Sequence, residues 1–167
     1  MDFVAYTTQV SFFDYDLDGD LDCFVINNSP MPINNLGYEN KRDLLESEWP
    51  VADFLKGGGD HLYRNDGLPV SLPSGGWKGG FVEVTKQTGI HGTLISFGLG
   101  VSVSDVNNDG YLDVYVANDS YERDYLYINQ RNGTFMDEME QWIEQNSFSS
   151  MGADIADINN DGLQDII

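Results

Sequence analysis

Three acidic segments of nine residues constrain this chain more than any other feature of its sequence. They read DYDLDGDLD from Asp14, DVNNDGYLD from Asp105 and DINNDGLQD from Asp157, and all fit the pattern D-x-[DN]-x-D-G-x-x-D. The first, third, fifth and ninth positions are Asp or Asn, and the sixth is always Gly. Three such segments in 167 residues indicate a repeated structural unit that carries a repeated chemistry.

Side chains that carry oxygen atoms, on alternate residues of a curled loop, can converge on one hard cation. Ca²⁺ takes six to eight oxygen ligands at about 2.3–2.6 Å, whereas Mg²⁺ demands stricter octahedral geometry and keeps its waters. Gly permits the sharp turn at the sixth position, and the seventh residue varies in chemistry, as expected if it offers its carbonyl oxygen. We therefore predict about one Ca²⁺ per loop, up to three in total. The predicted metal ligands are Asp14, Asp16, Asp18, Asp20, Asp22, Asp105, Asn107, Asp109, Tyr111, Asp113, Asp157, Asn159, Asp161, Leu163 and Asp165.

An EF-hand is the main alternative for such a loop, and position twelve decides against it. An EF-hand closes its loop with a bidentate acid at that position, but here it is Val25 in the first loop and Val116 in the second. The residues that follow, 21–27 and 112–118, alternate apolar side chains in the manner of strands. Solvated acidic turns without a metal are the other alternative, and close repulsion between four acids disfavours them.

The repeat extends beyond the acidic loops. A strand with apolar residues at alternate positions precedes each loop, and a second strand follows it. The third strand is DHLYRN (60–65) in the first unit and matches DYLYIN (124–129) in the second. The fourth strand is FVEV (81–84) and matches FMDE (135–138). Four antiparallel strands per unit are typical of a propeller blade. The loops start 91 and then 52 residues apart, and insertions at 28–59 and 66–80 account for most of the difference.

We therefore predict an all-β fold, a partial β-propeller built of four-stranded antiparallel blades with a calcium loop between the first two strands of each blade. The whole chain, 1–167, is expected to be a fragment of one propeller domain. The predicted parts are blade 1 at about 5–88, blade 2 at about 97–146 and the start of blade 3 at about 149–167.

The two insertions are expected to be irregular apart from one short helix at 41–48, and a second short helix is expected near 137–145, where Met139, Trp142 and Ile143 would share a face. Aromatic residues of the insertions could contact a ligand or pin their loops onto the blade, and the second role is favoured. These residues are Tyr38, Trp49 and Trp77.

The metal loops, the Phe97-Gly98 pair and the segments HLYRNDG and YLYINQRNGTF resemble FG-GAP/VCBS repeats, the calcium-binding blade repeats of integrin α-type propellers. SFGLGVSVSDVNNDGYLDVYVAND and SSMGADIADINNDG are similar to bacterial VCBS proteins related to cartilage acidic protein, which often carry an ASPIC/UnbV segment. The resemblance implies a seven-bladed ring whose other blades would pack on this segment. The Phe-Gly pair is intact only in the second unit.

Composition restricts the partners. The net charge is −20, with 8 Lys and Arg against 28 Asp and Glu, which disfavours nucleic acid and anionic membranes. No apolar stretch is long enough for membrane insertion, and a single Cys excludes an internal disulfide. No signal peptide is visible at the start.

The favoured function is a non-catalytic adhesion or ligand-binding module, extracellular or on a cell surface (a bacterial outer surface is expected), that recognises a protein or a glycan with metal in a structural role. The alternative is part of a propeller-fold polysaccharide-degrading enzyme, and a structural spacer is a third possibility. His61 and His91 are the only side chains that could act as bases near neutral pH, and Cys23 is expected to be a small buried hydrophobe.

Overall fold

A computed structural model describes residues 5–30, 44–68, 70–71, 74, 77–119 and 122–167. Short strands dominate it, and each of its two α-helices is a single turn. The elements are β1 (Tyr6–Phe13), β2 (Asp22–Asn28), β3 (Gly59–Asn65), β4 (Val70–Ser71), β5 (Trp77–Lys78), β6 (Phe81–Glu83), α1 (Thr85–Thr88), β7 (Gly98–Ser104), β8 (Asp113–Asn118), β9 (Tyr125–Asn129), β10 (Phe135–Asp137), α2 (Met139–Trp142), β11 (Ile155–Ala156) and β12 (Asp165–Ile166).

Among the described residues, the strands form two four-stranded antiparallel sheets and two two-stranded hairpins, one of them made by β4 and β5. The first sheet has the order β1-β2-β3-β6 and the second β7-β8-β9-β10, while β11 pairs with β12. This all-β architecture confirms the predicted four-stranded units, and it places each acidic loop between the first two strands of its unit. We call the two sheets blade 1 and blade 2. The number of blades in a complete ring stays a prediction.

The two blades are equivalent down to an irregularity in their first strand pair. The register between β1 and β2 shifts between Thr7 and Gln9, and that between β7 and β8 shifts between Gly98 and Gly100, 91 residues further on in each case. A β-bulge bends a strand and increases its local twist. The same bulge at the same place therefore gives both blades the same curvature.

The main core lies between the two blades. Blade 1 contributes Phe24, Ile26 and Leu62, and blade 2 contributes Val114 and Val116 among other residues, all of them fully buried. Successive side chains of a strand point to opposite faces of the sheet, so the remaining side chains of the blade 2 strands lie on the face away from blade 1. There Tyr115, Ala117, Leu126 and Ile128 pack with Ala153, Ile155 and Ile166 of the third unit.

Polar contacts also join the blades. The Asn129 side chain donates a 2.8 Å hydrogen bond to the Tyr15 carbonyl in the first acidic loop. The Gln9 side chain bonds both the N–H and the carbonyl of Val101, so β1 and β7 lie side by side. The buried Tyr127 hydroxyl donates to Asp60 Oδ2 at 3.2 Å. Blade 2 is thus held to blade 1 by a directional network as well as by apolar packing.

The insertions differ in detail from the sequence expectation. In the described part of the predicted 41–48 helix there is only a 3₁₀ turn, Glu46–Glu48, which ends before Pro50. The 66–80 insertion contains the small β4–β5 hairpin, so it is more regular than expected. Trp49 is 3 % exposed and packs on Leu94 and Ile95, as the loop-pinning role requires. Tyr38 and the Trp77 side chain lie outside the described residues.

The second predicted helix is present as α2, but it is shorter than 137–145. Met139 is buried, whereas Trp142 is exposed and donates its indole N–H to Glu138, so the two do not share a buried face. No helix among the described residues combines the length and apolar character needed to cross a bilayer.

Gly59, at the start of β3, tests how closely the connection between the blades is packed. Its φ is +85°, and a Cβ there would lie 2.6 Å from the Thr93 backbone nitrogen. We expect Gly59→Ala to lower the free energy of unfolding by more than about 2 kcal/mol, since left-handed strain adds to a backbone clash. Urea denaturation of the 167-residue chain measures this.

The matched control is Gly67→Ala, because Gly67 has a φ of +77° and open space around the position of a Cβ. That variant should lose only the conformational component, about 1 kcal/mol. Equal losses in the two variants would show that the contact with Thr93 does not constrain the fold.

Candidate metal centres

The three acidic loops share one backbone conformation. The fourth position is left-handed in each, with φ of 60° at Leu17, 58° at Asn108 and 61° at Asn160. The Gly at the sixth position also has positive φ, between 86° and 98°. Two left-handed residues separated by one other curl the chain tightly, which is why Gly is needed at the second of them.

The first Asp of each loop holds this curl together. In the first loop, Asp14 Oδ1 accepts the N–H of Asp18 at 3.1 Å and Oδ2 accepts the N–H of Gly19 at 3.0 Å. Asp105 and Asp157 make the same pair of bonds to the fifth and sixth residues of their loops, at 2.8–3.1 Å. The loop shape is therefore encoded locally and repeated three times.

The first loop gathers carboxylates closely. Asp14, Asp16 and Asp18 each bring an oxygen within 4.8 Å of the others. Asp16 Oδ1 and Asp20 Oδ1 are buried and accept no hydrogen bond from the described residues. Burial, followed by the charge of Asp18, raises the pKa of both Asp16 and Asp20. Carboxylate oxygens that accept no hydrogen bond and are surrounded by other negative charges are the ligands that a hard cation prefers. The residues of the first loop therefore fit the predicted Ca²⁺.

The ninth Asp has a second role that the sequence did not reveal. Asp22 is fully buried; its Oδ2 accepts the Tyr15 N–H at 3.1 Å, and its Oδ1 accepts the Asn65 N–H at 2.8 Å. Asp113 is equally buried and binds the N–H groups of Val106 and Asn129 in the same way. The ninth carboxylate thus ties its loop to the end of the third strand of the blade.

Burial dominates the electrostatics of these ninth residues. It raises the pKa of Asp22 to about 6 against the opposing effect of the two N–H donors, and it also raises the pKa of Asp113. In the third loop, Asp165 Oδ2 accepts the Ile158 N–H at 3.1 Å. The ninth carboxylate is therefore both a predicted ligand and an established structural clamp.

Comparison with known proteins agrees with this geometry. A family model described as an FG-GAP-like repeat matches residues 105–167, which begin at the second loop and include the third. Residues 105–167 carry an FG-GAP-like repeat. It is also 33% identical over 129 residues to integrin alpha-3 of Mus musculus, and 31% identical over 119 residues to integrin alpha-3 of Cricetulus griseus.

These matches cover 70% and 64% of this chain, but only 12% and 11% of the two integrin chains. The chain thus spans about one eighth of the length of the relatives it matches. Similarity to integrin alpha chains and the FG-GAP-like match confirm the predicted repeat family. The narrower resemblance to bacterial VCBS proteins stays a prediction.

The FG-GAP-like loops differ in their charged surroundings. In the second loop, Arg131 Nε donates to Asp109 Oδ2 at 2.8 Å. Although burial would raise the pKa of Asp109, bonds from the Tyr111 N–H and from Arg131 keep it below the ordinary value. In the first loop, position seven is itself acidic, Asp20. The loop at Asp14 therefore concentrates more negative charge than the loop at Asp105.

The other side chains considered from sequence have structural contacts. His61 is buried, and its Nδ1 lies 3.0 Å from Glu83 Oε1, in keeping with the expected packing role. Cys23 is only half-buried instead of fully buried, and burial raises the pKa of its thiol. His91 lines a cleft at the opposite edge of the blades.

Leu17 provides a test of loop preorganisation. It is exposed at the left-handed fourth position, where both other loops have Asn. Leu in this conformation costs about 1 kcal/mol or more, whereas Asn adopts it readily. We expect Leu17→Asn to raise the free energy of unfolding by about 0.5–1 kcal/mol, measured by thermal denaturation in chelator.

Leu21→Asn is the control, because Leu21 is equally exposed and does not have positive φ. It removes the same apolar surface without relieving backbone strain. If both variants change stability alike, the left-handed fourth residue contributes no strain to the loop.

Proposed function

We propose that each acidic loop binds one Ca²⁺ and that the ion stabilises the turn between the first two strands of its blade. The donors would be the side chains at positions one, three, five and nine and the carbonyl oxygen at position seven. The observation that carries the proposal is the first loop, where three carboxylates converge and Asp16 Oδ1 accepts no hydrogen bond from the described residues.

Calcium is favoured because every donor is an oxygen and because four to five groups come from a single loop. Each loop repeats the same curl, so a ligand set that serves one loop is available to the others. Sites with dissociation constants of about 10⁻⁴–10⁻³ M fill outside the cell but remain empty in the cytosol. The loops therefore support an extracellular or cell-surface location.

We further propose that the chain is part of a larger ring, as the predicted blade boundaries imply. Val10 and Phe12 of β1 are 40 % and 56 % exposed, and Phe81 of β6 is 53 % exposed. The corresponding residues of blade 2 include Val101 and Phe135, which are buried against blade 1. A preceding blade of the same repeat would cover the exposed set in the same way.

The biological role that fits these features is adhesion or ligand binding without catalysis. The acids of the loops hold backbone N–H groups and are available to metal, and His61 is occupied with Glu83. The similarity to integrin alpha-3 supports the same role. A protein or glycan ligand and the remaining blades are the partners proposed.

Calcium should stabilise the chain by mass action, because the curled loops exist only in the folded state. We expect about 10 mM Ca²⁺, a hundredfold excess over a Kd of about 10⁻⁴ M, to raise the melting temperature by several degrees over the value in chelator, with ΔΔG of about 2.7 kcal/mol per site. Differential scanning fluorimetry with added Ca²⁺ and with EDTA measures the shift.

Asp14→Ala should remove the part of this shift that the first loop contributes. Asp154→Asn, an exposed acid outside the loops, should keep the whole shift. A melting curve that does not respond to calcium would overturn the metal proposal.

Arg131 should weaken the second site, because its positive charge contacts the ligand Asp109. Arg131→Asn keeps a residue that tolerates its φ of 59° and removes the charge. Two unit charges about 4 Å apart in water interact by about 1 kcal/mol, and the double charge of Ca²⁺ doubles this to about 2 kcal/mol. We therefore expect up to about thirtyfold tighter binding at the second loop. Calorimetric Ca²⁺ titration of an Asp14→Ala background isolates that loop from the first.

Arg64→Gln is the matched control, because Arg64 is paired with Asp66 near the first loop and not with a ligand of the second. It should leave the affinity of the second loop unchanged. Weaker binding in Arg131→Asn would show that Arg131 orients Asp109 instead of competing with the ion.

A further inference from the structure

A cleft of about 400 Å³ lies between the blades at the edge opposite the metal loops. The acidic loop joins the end of β7 to the start of β8. The end of β8 and the start of β9 therefore lie at the opposite end of the strands, away from the metal loop. The cleft is lined by His91, Glu122, Arg123, Tyr125, Asp137 and Glu140, with Gly89 beside His91. Blade 2 and the segments next to its strands supply most of the lining, and Gly89 and His91 come from the segment that joins the two blades.

The Tyr125 hydroxyl has no hydrogen-bond partner among the described residues, although the side chain is only 2 % exposed. Behind it, Asp60 is completely buried; its Oδ2 accepts from Tyr127, whereas Oδ1 accepts no hydrogen bond from the described residues. A buried polar atom without a partner costs about 1–3 kcal/mol. The Tyr125 side chain belongs to the lining of the cleft, so its hydroxyl points to a missing donor there.

The repeat itself does not require this arrangement. The residue of blade 1 that corresponds to Tyr125 is His61, whose Nδ1 is paired with Glu83 at 3.0 Å. The residue type at this place therefore differs between the two blades, and the buried hydroxyl of Tyr125 belongs to blade 2 alone.

The charge at the cleft favours a cation. Arg123 is already occupied: it pairs with Asp137, donates to the Asp124 carbonyl at 3.0 Å and lies over the Tyr125 ring at 5.3 Å. Glu122, which is almost fully buried, and Glu140 add two further carboxylates to the lining. Burial, followed by the charges of Glu122 and Asp60, raises the pKa of Tyr125 well above its ordinary value, so the hydroxyl stays protonated.

We propose that this cleft binds a primary ammonium group, in the form of a lysine side chain presented by a protein partner. An ammonium group has three donors, which suit the Tyr125 oxygen and the neighbouring carboxylates. The volume is ample for one such side chain. Within the described part of the chain, the carboxylates of the cleft do not form a group of three acid or histidine side chains with ligand atoms within 4.8 Å of one another, so the cleft suits an organic cation better than a metal ion.

The lysine side chain is a ligand class for the binding role proposed above. The proposal rests on that role in one respect, that the protein binds a partner. It does not depend on metal at the loops. Calcium titration tests the loops, and an ammonium probe tests the cleft, so either proposal can fail without the other.

The test uses Nα-acetyl-lysine methylamide as the probe, titrated into the ¹⁵N-labelled chain in the presence of calcium. We expect saturable shifts of the His91, Arg123 and Tyr125 amide signals. Nα-acetyl-norleucine methylamide, which has the same carbon chain without the ammonium group, should give none. Tyr125→Phe and Glu122→Gln should each weaken binding of the lysine probe about fivefold to tenfold.

Glu144→Gln is the matched control, because Glu144 is exposed and does not line the cleft. It should bind the probe as the unsubstituted chain does. Tyr125→Phe removes a hydroxyl that has no hydrogen-bond partner among the described residues. The melting temperature of this variant should therefore be unchanged or higher, which separates lost binding from lost folding.

Absence of a saturable shift with the lysine probe would overturn the proposal and leave a water-filled cleft. Equal responses to the lysine and norleucine probes would do the same, because they would show apolar binding only.

Discussion

The buried ninth carboxylate of the first two acidic loops makes the interaction on which the arrangement depends. Asp22 and Asp113 each bind a backbone N–H at the start of their loop and another at the end of the third strand. Hydrogen bonds to a charged group contribute about 1.5–3 kcal/mol each. One side chain therefore fixes the loop, the first hairpin and the third strand of the blade relative to one another, and a cation at the loop would offset the cost of burying that charge.

The distribution of charge follows from this organisation. A chain with a net charge of −20 would resist compaction if its acids were spread over one surface. Here many of them lie in three loops, where backbone N–H groups point at them and where a divalent ion would neutralise them. At the other edge of the sheets Arg123, Asp137 and Glu122 form a separate polar site. The two ends of the strands thus carry different groups, carboxylates and backbone N–H groups in the acidic loops and an ion pair with a further carboxylate at the cleft.

Packing between neighbouring blades connects the end of the sheets that carries the metal loops with the end that carries the cleft. The inward faces of blade 1 and blade 2 share one core, and the outer face of blade 2 packs on the third unit. Tyr127 lies in that core and reaches Asp60 across the junction. The cleft is lined by blade 2 with its neighbouring segments and by Gly89 and His91 of the segment that joins the blades, so it lies at their junction.

The strand order, the position of the loops and the equivalence of the repeats could be predicted from the sequence, because alternation and the Asp/Asn/Gly spacing are local patterns that recur. The short helix at α2 could be located but not bounded, since a single turn depends on its packing through Met139. The clamp made by Asp22, the pairing of Arg131 with Asp109 and the unpaired Tyr125 hydroxyl could not be predicted. Each depends on residues brought together from distant segments, and only tertiary packing decides which polar atoms are buried and which of them find a partner.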